Sequence, residues 1–545
     1  MKPVVTFVAA VSVALLSAGT SLTASPEPKP NGSAVADAAM KRDVQALHAL
    51  VKQKADVNAA QADGATAIHW AAYHDDLQTA DLLIRAGASV TVANRHGSTP
   101  LALACINGSA RMVERLLRAG ANVNERGPNG ETALMLAART GAVDAMTVLL
   151  TAGAEVNATE KLRGTTALMW AAAQSHPAAV RALVDAGADV GIRSRPAALG
   201  RTAYLAPTAR QRAAQLGDDN APERRAAGRR PAAEGGGLTA LVFAAREGDL
   251  DSVRILLEAG ADVNQTTQYG WTALLTATQN RHYVLGTYLL DHGANPNLAN
   301  GGGWTPLYLA TDNRNIEGGD YPVRASDLDH LDFIKTLLSR GADVNVRAKD
   351  STETRTIFTM QWLYEDGATP FVRAAQSGDL ELMKLLLAHG ADPKIATTNN
   401  VTALAVASGI GWVEGITHER SRQDSLEAVK LCLDLGIDPN VADGDGRTAL
   451  HGAAHKGRNE VVQLLVDRGA RLEARDLGSR DTVSGELVGH GWLPVDYADG
   501  LVRVGVQSAI PHPETATLLR QLMADRKIAI PPPITSSVCI TAVCQ

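Results

Sequence analysis

Apolar residues recur along the chain in pairs of short segments that have the spacing of amphipathic helices. In one of them Val253, Leu256 and Leu257 fall on the same helical face. Gly260 follows where that helix should end, because glycine adopts a positive φ without strain. A shorter segment with small residues such as Ala244 precedes it, and small residues let neighbouring helices approach closely. The pattern predicts pairs of packed helices.

The helix pairs repeat with a fixed period. The phrase Gly-Ser-Thr-Pro-Leu at 97–101 returns in similar form 33 residues later at 130–134 and again at 164–168. A second phrase, Ala-Gly-Ala-x-Val-Asn, occurs at 119–124 and at 152–157. A period of this length indicates a solenoid, in which each unit buries its apolar face only against its neighbours.

The two phrases resemble those of the ankyrin repeat, which is a β-turn followed by two helices. A degenerate unit lies at 400–404, and the stretches 33–63 and 491–523 resemble terminal caps. The resemblance implies an all-α repeat solenoid of helix-turn-helix units with β-hairpin loops, roughly a dozen units including the caps. The other units begin at Gly64, Gly97, Gly130, Gly164, Gly237, Gly270, Gly303, Gly367 and Gly446.

Two features of the opening phrase have a physical reason of their own. A threonine precedes the first helix of most units, where its hydroxyl caps the helix, and Pro100 or Pro306 then occupies a position that needs no N–H. Trp70 and Trp170 occupy an apolar helix position that holds Leu309 in a later unit. This register predicts that both tryptophans are core residues.

The N-terminus has the pattern of an export signal. Lys2 provides a positive charge, and the run at 4–16 is almost wholly apolar but too short for a typical membrane span. We therefore expect a signal peptide at 1–24, a Pro-rich linker at 25–32 and an exported protein that is periplasmic or extracellular. A signal anchor that stays attached is the alternative.

The period also divides the rest of the chain. We expect N-terminal repeats at 33–195, an Arg/Ala/Gly-rich insertion at 196–236, C-terminal repeats at 237–523 and a tail at 524–545. Between residues 201 and 230 the insertion has seven arginines against three acidic residues. We interpret it as a disordered surface loop, and a basic patch for an acidic partner is the alternative. Further interruptions lie near 312–328, 349–366, 409–424 and 477–490.

Composition gives no sign of a nucleic-acid or membrane partner, and it does not decide the oxidation state of the cysteines in the tail. The 545 residues have a formal net charge of −6, so nothing in the composition favours nucleic acid or an anionic membrane. We expect no nucleic-acid partner and no stable membrane insertion after cleavage of the signal. Cys105 and Cys432 lie in helical segments and are expected to be buried thiols. In an oxidising compartment Cys539 and Cys544 of the tail form a disulfide, or both thiols stay free in a disordered tail.

No sequence motif indicates catalysis. His451 and His455 have the i, i+4 spacing of a zinc pair, but no glutamate stands between them to act as a base. His451 also occupies a position where the ankyrin phrase commonly has histidine, as does His69, so a structural role is expected. We therefore expect a protein that is not an enzyme and has no metal and no cofactor.

Aromatic residues concentrate from Tyr269 to Phe371, the segment that contains two of the interruptions. Trp271 and Trp304 each follow the opening glycine, at a position that holds Ser, Glu or Thr in other units. A position that accepts these residues is expected to be exposed, so the two indoles should be neighbours on the hairpin side. The competing prediction is that the extension with Phe358 and Trp362 folds over them.

These observations favour a protein-binding scaffold. The resemblance implies that a partner of unknown identity binds the concave face of hairpin tips and first helices, through residues outside the repeat phrase. The alternative is an enzyme or small-ligand-binding protein with a site built by the 303–366 insertions over the groove, and a purely structural spacer is a third class. The candidate binding residues are Asn94, Arg95, Arg126, Asn129, Gln268, Tyr269, Trp271 and Trp304.

Overall fold

The computed structural model describes residues 33–196, 236–315, 324–349, 366–413, 417–478, 491–502 and 510–530. These residues form twelve pairs of α-helices, each with a first and a second helix. The first helices are Ala34–Met40, Ala67–Tyr73, Pro100–Ile106, Ala133–Thr140, Ala167–Ala173, Ala240–Glu247, Ala273–Gln279, Pro306–Arg314, Pro370–Gln376, Ala403–Ser408, Ala449–His455 and Pro494–Ala498. The second helices are Val44–Lys52, Leu77–Arg85, Ala110–Arg118, Val143–Thr151, Pro177–Asp185, Leu250–Glu258, Tyr283–Asp291, His330–Ser339, Leu380–Ala388, Arg422–Asp434, Asn459–Asp467 and Pro513–Asp525.

The chain divides into two compact units. The first unit comprises the residues up to Ala104 together with Glu114–Ala121, and the second comprises Cys105–Val113 and the chain from Asn122 onward. Both have apolar cores between their helices, with Leu83 fully buried in the first unit. None of the helices in the described residues is long and apolar enough to cross a membrane.

Threonine caps begin most of the first helices, as the sequence predicts. The Thr132 hydroxyl accepts a hydrogen bond from the Met135 amide at 3.3 Å, and Thr272 caps Leu275 in the same way at 3.1 Å. Each bond satisfies one amide at a helix start that has no partner within the helix. Gly260 has φ +88° after the helix that ends at Glu258, which confirms the predicted stop.

The recurring asparagine of the second phrase joins neighbouring repeats in the second unit. Asn264 donates from Nδ2 to the Gly293 carbonyl at 3.0 Å, and its Oδ1 accepts from the Asn295 amide at 2.8 Å. The side chain thus bonds both a donor and an acceptor on the next turn. The same pair of bonds occurs at Asn124, Asn157, Asn297, Asn345 and Asn440.

The loops expected as β-hairpins are short hairpin turns. In the described part of the chain the β-type pairing is limited to an isolated antiparallel bridge between Arg126 and Thr132. In the turn before Trp271, the Thr267 amide donates to the Trp271 carbonyl at 2.8 Å. The Gln268 amide donates to the Gly236 carbonyl at 3.1 Å and so links this turn to the preceding one.

The described residues at the two ends of the Arg-rich insertion meet in one hairpin turn. The Gly237 amide donates to the Ser194 carbonyl at 2.7 Å, and the Ser194 amide donates to the Leu238 carbonyl at 2.8 Å. Arg181 and Glu258, in second helices on either side of the insertion, form an ion pair at 2.7 Å. The repeats before and after the insertion therefore contact each other directly.

Several sequence predictions concern residues outside those described. Most of the insertion and of the interruptions falls there, at 197–235, 316–323, 350–365, 414–416 and 479–490. The signal peptide at 1–24, the linker at 25–32, Phe358, Trp362, Cys539 and Cys544 also lie outside. Cys105 and Cys432 are described, and both are buried free thiols as expected. Burial raises the pKa of the Cys432 thiol to about 12.

Candidate functional site

A pocket of about 400 Å³ opens on the second unit beside two successive first helices, Ala240–Glu247 and Ala273–Gln279. Side chains from both helices and from the hairpin turn before Trp271 line it. The lining is mainly apolar, with a few amide and hydroxyl groups. The lining residues are Gly236, Leu238, Val242, Phe243, Arg246, Thr267, Tyr269, Trp271, Thr276, Gln279 and Asn280.

Trp271 and Tyr269 reach the pocket from a rigid turn. The Trp271 amide donates to the Thr267 hydroxyl at 2.9 Å, and its carbonyl accepts from the Thr267 amide at 2.8 Å. Both aromatic side chains are half-buried. The Tyr269 ring covers Gly301, where a Cβ would lie 2.5 Å from a ring carbon. The turn therefore holds two large side chains in place and leaves part of each exposed.

Phe243 and Arg246 line the pocket from the first helix Ala240–Glu247. Phe243 is half-buried, and the guanidinium carbon of Arg246 lies 5.1 Å from the centre of its ring, which is the geometry of a cation–π contact. Arg246 also pairs with Glu247 at 2.7 Å and remains 48% exposed. A cation thus lies at the rim of an aromatic pocket.

Phe243 occupies the fourth position after the capping threonine, and the exposure of this position changes along the second unit. Leu136, Trp170 and Phe243 are half-buried there, whereas Leu309 and Val406 are almost fully buried at the same position. The first helices between Ala133 and Glu247 therefore present an apolar stripe that later repeats do not.

The expectation that Trp70 and Trp170 are core residues is wrong, because both are only half-buried. Each indole N–H has a polar partner at the edge of the packing. Trp70 donates to the Gln61 side-chain carbonyl at 2.7 Å, and Trp170 donates to the Thr165 hydroxyl at 2.8 Å. A tryptophan can bury its ring body and keep its polar edge near the surface, whereas leucine has no such edge.

The expectation that Trp304 is exposed is also wrong, since its side chain is fully buried. Its ring packs edge-on against Tyr308 at 4.7 Å between centres. In the preceding repeat the position equivalent to Tyr308 holds Leu275, and Trp271 stays half-exposed. The exposed pair of indoles is therefore reduced to Trp271 alone, and Trp304 belongs to internal packing.

The remaining predicted residues lie on hairpin turns but do not line the pocket. Gln268 is exposed next to it, while Arg126 and Asn129 are exposed on the hairpin turn three repeats before that of Gln268, in the same unit. Arg126 is engaged within the fold, because it bonds the Glu155 carboxylate and the Thr159 carbonyl, each at 3.0 Å.

Asn94 and Arg95 belong to the first unit. The side-chain oxygen of Asn94 accepts from the amides of His96 and Ser98 at 3.0 and 2.9 Å, so it stabilises its own turn. Arg95 is exposed, and its amide donates to the Asp63 carbonyl at 2.8 Å. Neither residue is among those that line the pocket.

The histidine pair has the structural role that the sequence predicts for it. His451 is buried, with Nδ1 3.0 Å from the Thr448 amide and Nε2 3.2 Å from the Trp492 carbonyl. Burial lowers the pKa of His451 to about 4, and burial followed by the charge of His512 lowers that of His455 to about 4. Within the described ranges, no three metal-ligating side chains form a cluster.

Later repeats contain buried ion pairs in place of an open apolar face. Arg373 pairs with Asp312 at 2.8 Å, and both side chains are less than a tenth exposed. Arg314 and Arg420 both pair with the buried carboxylate of Asp379, at 2.8 and 3.1 Å. Buried charges of this kind are stable only when paired, so we interpret the cluster as internal structure.

A family model described as ankyrin repeats in three copies matches residues 35–127, 112–194, 241–348, 323–418 and 372–476. These matches cover well over half of the chain. The chain belongs to the ankyrin repeat family.

Other comparisons add little to the family assignment. A comparison with curated proteins found no match. Among solved structures, the crystal structure of the human ASB11 ankyrin repeat domain matches with 22% sequence identity and a TM-score of 0.37. That match covers 49% of this ankyrin chain and 100% of the domain. Ankyrin repeats generally mediate protein–protein interaction.

The sequence analysis missed Phe243 and Arg246. A signal for Phe243 was present, because three bulky aromatics, Trp70, Trp170 and Phe243, share one register position after the capping threonine. Their exposure was not predictable from the register, since Leu309 at the same position is buried.

Proposed function

We propose that this ankyrin chain is a non-catalytic scaffold that binds a protein partner through the hairpin turns and first helices of the second unit. The single observation that supports this most is the partly exposed aromatic lining of the pocket, formed by Phe243, Tyr269 and Trp271 on a helix and a hydrogen-bonded turn. Large apolar side chains gain no folding energy from their exposed surface, and tryptophan and tyrosine are enriched among residues that dominate binding energy at interfaces.

The lining favours binding over chemistry. Among the described residues that line it, Arg246 and Tyr269 are the only ones whose side chains can ionise, and Arg246 already pairs with Glu247. Catalytic pockets usually bring several titratable groups together. The pocket also lies at 236–280, before the 303–366 insertions on which the enzyme or small-ligand alternative depends.

We further propose that the chain is exported to the periplasm or outside the cell. The charged and apolar pattern of residues 1–24 supports this, and so does the Pro-rich linker that follows it. N-terminal sequencing of native material should find a mature start near Ser25. Intact Met1 in a cytosolic fraction would contradict the proposal.

Capture of the partner tests the binding proposal. The purified chain, immobilised and exposed to an extract of its own cells, should retain a specific protein. Trp271→Ala and Phe243→Ala should abolish retention, whereas Val284→Ala should not, because Val284 is 47% exposed on a second helix away from the pocket. Equal retention by all three variants would refute the proposed surface, and release of a small molecule instead of a protein would favour the small-ligand alternative.

A further inference from the structure

Charge is distributed unevenly between the two sides of the three repeats that begin at Gly130, Gly164 and Gly237, the last of which lines the pocket. The hairpin turns and first helices at 125–141, 158–174, 190–196 and 236–248 contain seven Lys and Arg against four Asp and Glu. The second helices and the turns after them, at 142–157, 175–189 and 249–264, contain two Lys and Arg against eight Asp and Glu. The chain as a whole is acidic at −6, so this side of the repeats differs in sign from the chain as a whole.

The fold itself uses two of the four acidic groups on the basic side. Glu160 is buried, and its carboxylate accepts from the Thr165 amide and hydroxyl at 2.8 and 2.9 Å and from the Arg163 amide at 2.9 Å. Glu131 accepts from the Asn129 amide at 3.0 Å. These carboxylates stabilise their own turns, while the side chains of Lys161 and Arg163 are exposed.

Arginine and aromatic side chains alternate along the same side. The Arg139 guanidinium lies 6.0 Å from the Trp170 ring centre, and that of Arg246 lies 5.1 Å from the Phe243 ring centre. Arginine stacked on an aromatic face keeps its N–H edges available, and those edges match the geometry of a carboxylate.

We propose that this side of the second unit binds an extended acidic segment of a partner protein. One large apolar side chain of that segment enters the pocket beside Trp271, and its carboxylates contact Arg246 and Arg139. The inference rests on the proposed scaffold function and specifies the chemistry of the partner. The chain's own Arg-rich segment is a poor candidate for the occupant, because it has the same sign of charge as the rim.

The probe for this inference is a synthetic twelve-residue peptide of Glu, Ser and Gly with one central Phe, labelled for fluorescence anisotropy with the full chain. Two matched peptides replace Glu by Lys, or Phe by Ala. The acidic Phe peptide should bind most tightly, and its affinity should fall as salt is raised because exposed charge pairs are screened. Equal affinity for the lysine peptide would overturn the inference.

The chain offers a matched pair of charge variants. Arg246 and Arg254 are each 48% exposed, each pairs with a neighbouring carboxylate, and each lies over an aromatic ring. Arg246 is at the pocket, whereas Arg254 is on the second helix Leu250–Glu258. Arg246→Glu should lower the affinity for the acidic peptide about five-fold, as expected for one rim charge pair. Arg254→Glu should leave that affinity unchanged.

Trp271→Ala should weaken the same peptide about thirty-fold, as for an interface hot spot. Equal effects of the two arginine variants would contradict the inference, as would tighter binding of an oligothymidine of similar length. If the cellular partner still requires Trp271 but has no acidic preference, this inference fails and the scaffold function stands. If neither the partner nor the peptides require Trp271, the scaffold function at this surface fails as well.

Discussion

Trp271 and Trp304 occupy the same register position in adjacent repeats. The structure predicts that Trp304→Ala mainly lowers stability, whereas Trp271→Ala mainly lowers partner binding. Trp304 is fully buried and packs edge-on against Tyr308 at 4.7 Å. Removing a fully buried tryptophan leaves a cavity and costs about 3–5 kcal/mol of the free energy of unfolding. Trp271 is half-buried at an open pocket, so its loss should cost roughly 1–2 kcal/mol for the area already covered.

The assay is urea denaturation followed by far-ultraviolet circular dichroism, because either change removes a tryptophan and makes fluorescence unsuitable for comparison. Repeat arrays derive stability from each repeat and its neighbouring interfaces, so the loss from Trp304→Ala should be local. Hydrogen exchange should locate it in Pro306–Arg314 and the helices next to it. Partner binding by Trp304→Ala should persist under conditions where the variant is folded.

Two results would refute this reasoning. If Trp304→Ala is as stable as the wild type, burial of the Trp304 side chain does not contribute to the free energy of unfolding. If Trp271→Ala loses as much stability as Trp304→Ala and retains the partner, then Trp271 is internal packing and the pocket is not a binding site.

Three further predictions concern the rest of the molecule. Asn264→Ala removes both bonds to the next turn and should lower the free energy of unfolding by about 1–2 kcal/mol, measured in urea. His455 has a folded pKa of about 4 against about 6.5 unfolded, so the unfolded chain binds the proton first as pH falls and stability is lost between those values. The loss of free energy of unfolding from this residue should reach about 3 kcal/mol. In His455→Leu the free energy of unfolding should therefore change less between pH 7 and 4.5. An unchanged slope of stability against pH would contradict the assignment. Trypsin should cut first between residues 201 and 230 and leave both flanks folded, and replacing 197–235 by a short turn should stabilise the chain by roughly 2 kcal/mol through loop closure. A segment as resistant to trypsin as the repeats would contradict the loop interpretation.

The fold was predictable from sequence because each repeat contacts only its neighbours. The period, the capping threonines and the stop at Gly260 are local signals, and the structure confirms them. The recurring asparagine was visible in the phrase, but its bonds to the next turn depend on how repeats stack. That stacking geometry is not written in the pattern of any one repeat.

The site was only partly predictable. The repeat register gives the position of a residue on its turn or helix, but it does not show whether neighbouring side chains bury that residue. Trp271 was found by comparing equivalent positions, and the same comparison failed for Trp304 because Tyr308 replaces the Leu275 of the preceding repeat. Phe243 was missed because its register position was interpreted as core. Leu309 is buried at that position, whereas Phe243 is only half-buried. Neighbouring side chains decide exposure in each case.

Site-specific photo-cross-linking tests the central claim most directly. A benzophenone amino acid at Gln279, which lines the pocket, is compared with the same group at Val284, which is exposed on the following second helix. Illumination in the native cells should yield one protein adduct of defined mass from position 279 and none from position 284. Equal adducts from both positions, or none from 279 while the complex still forms, would contradict binding through this surface.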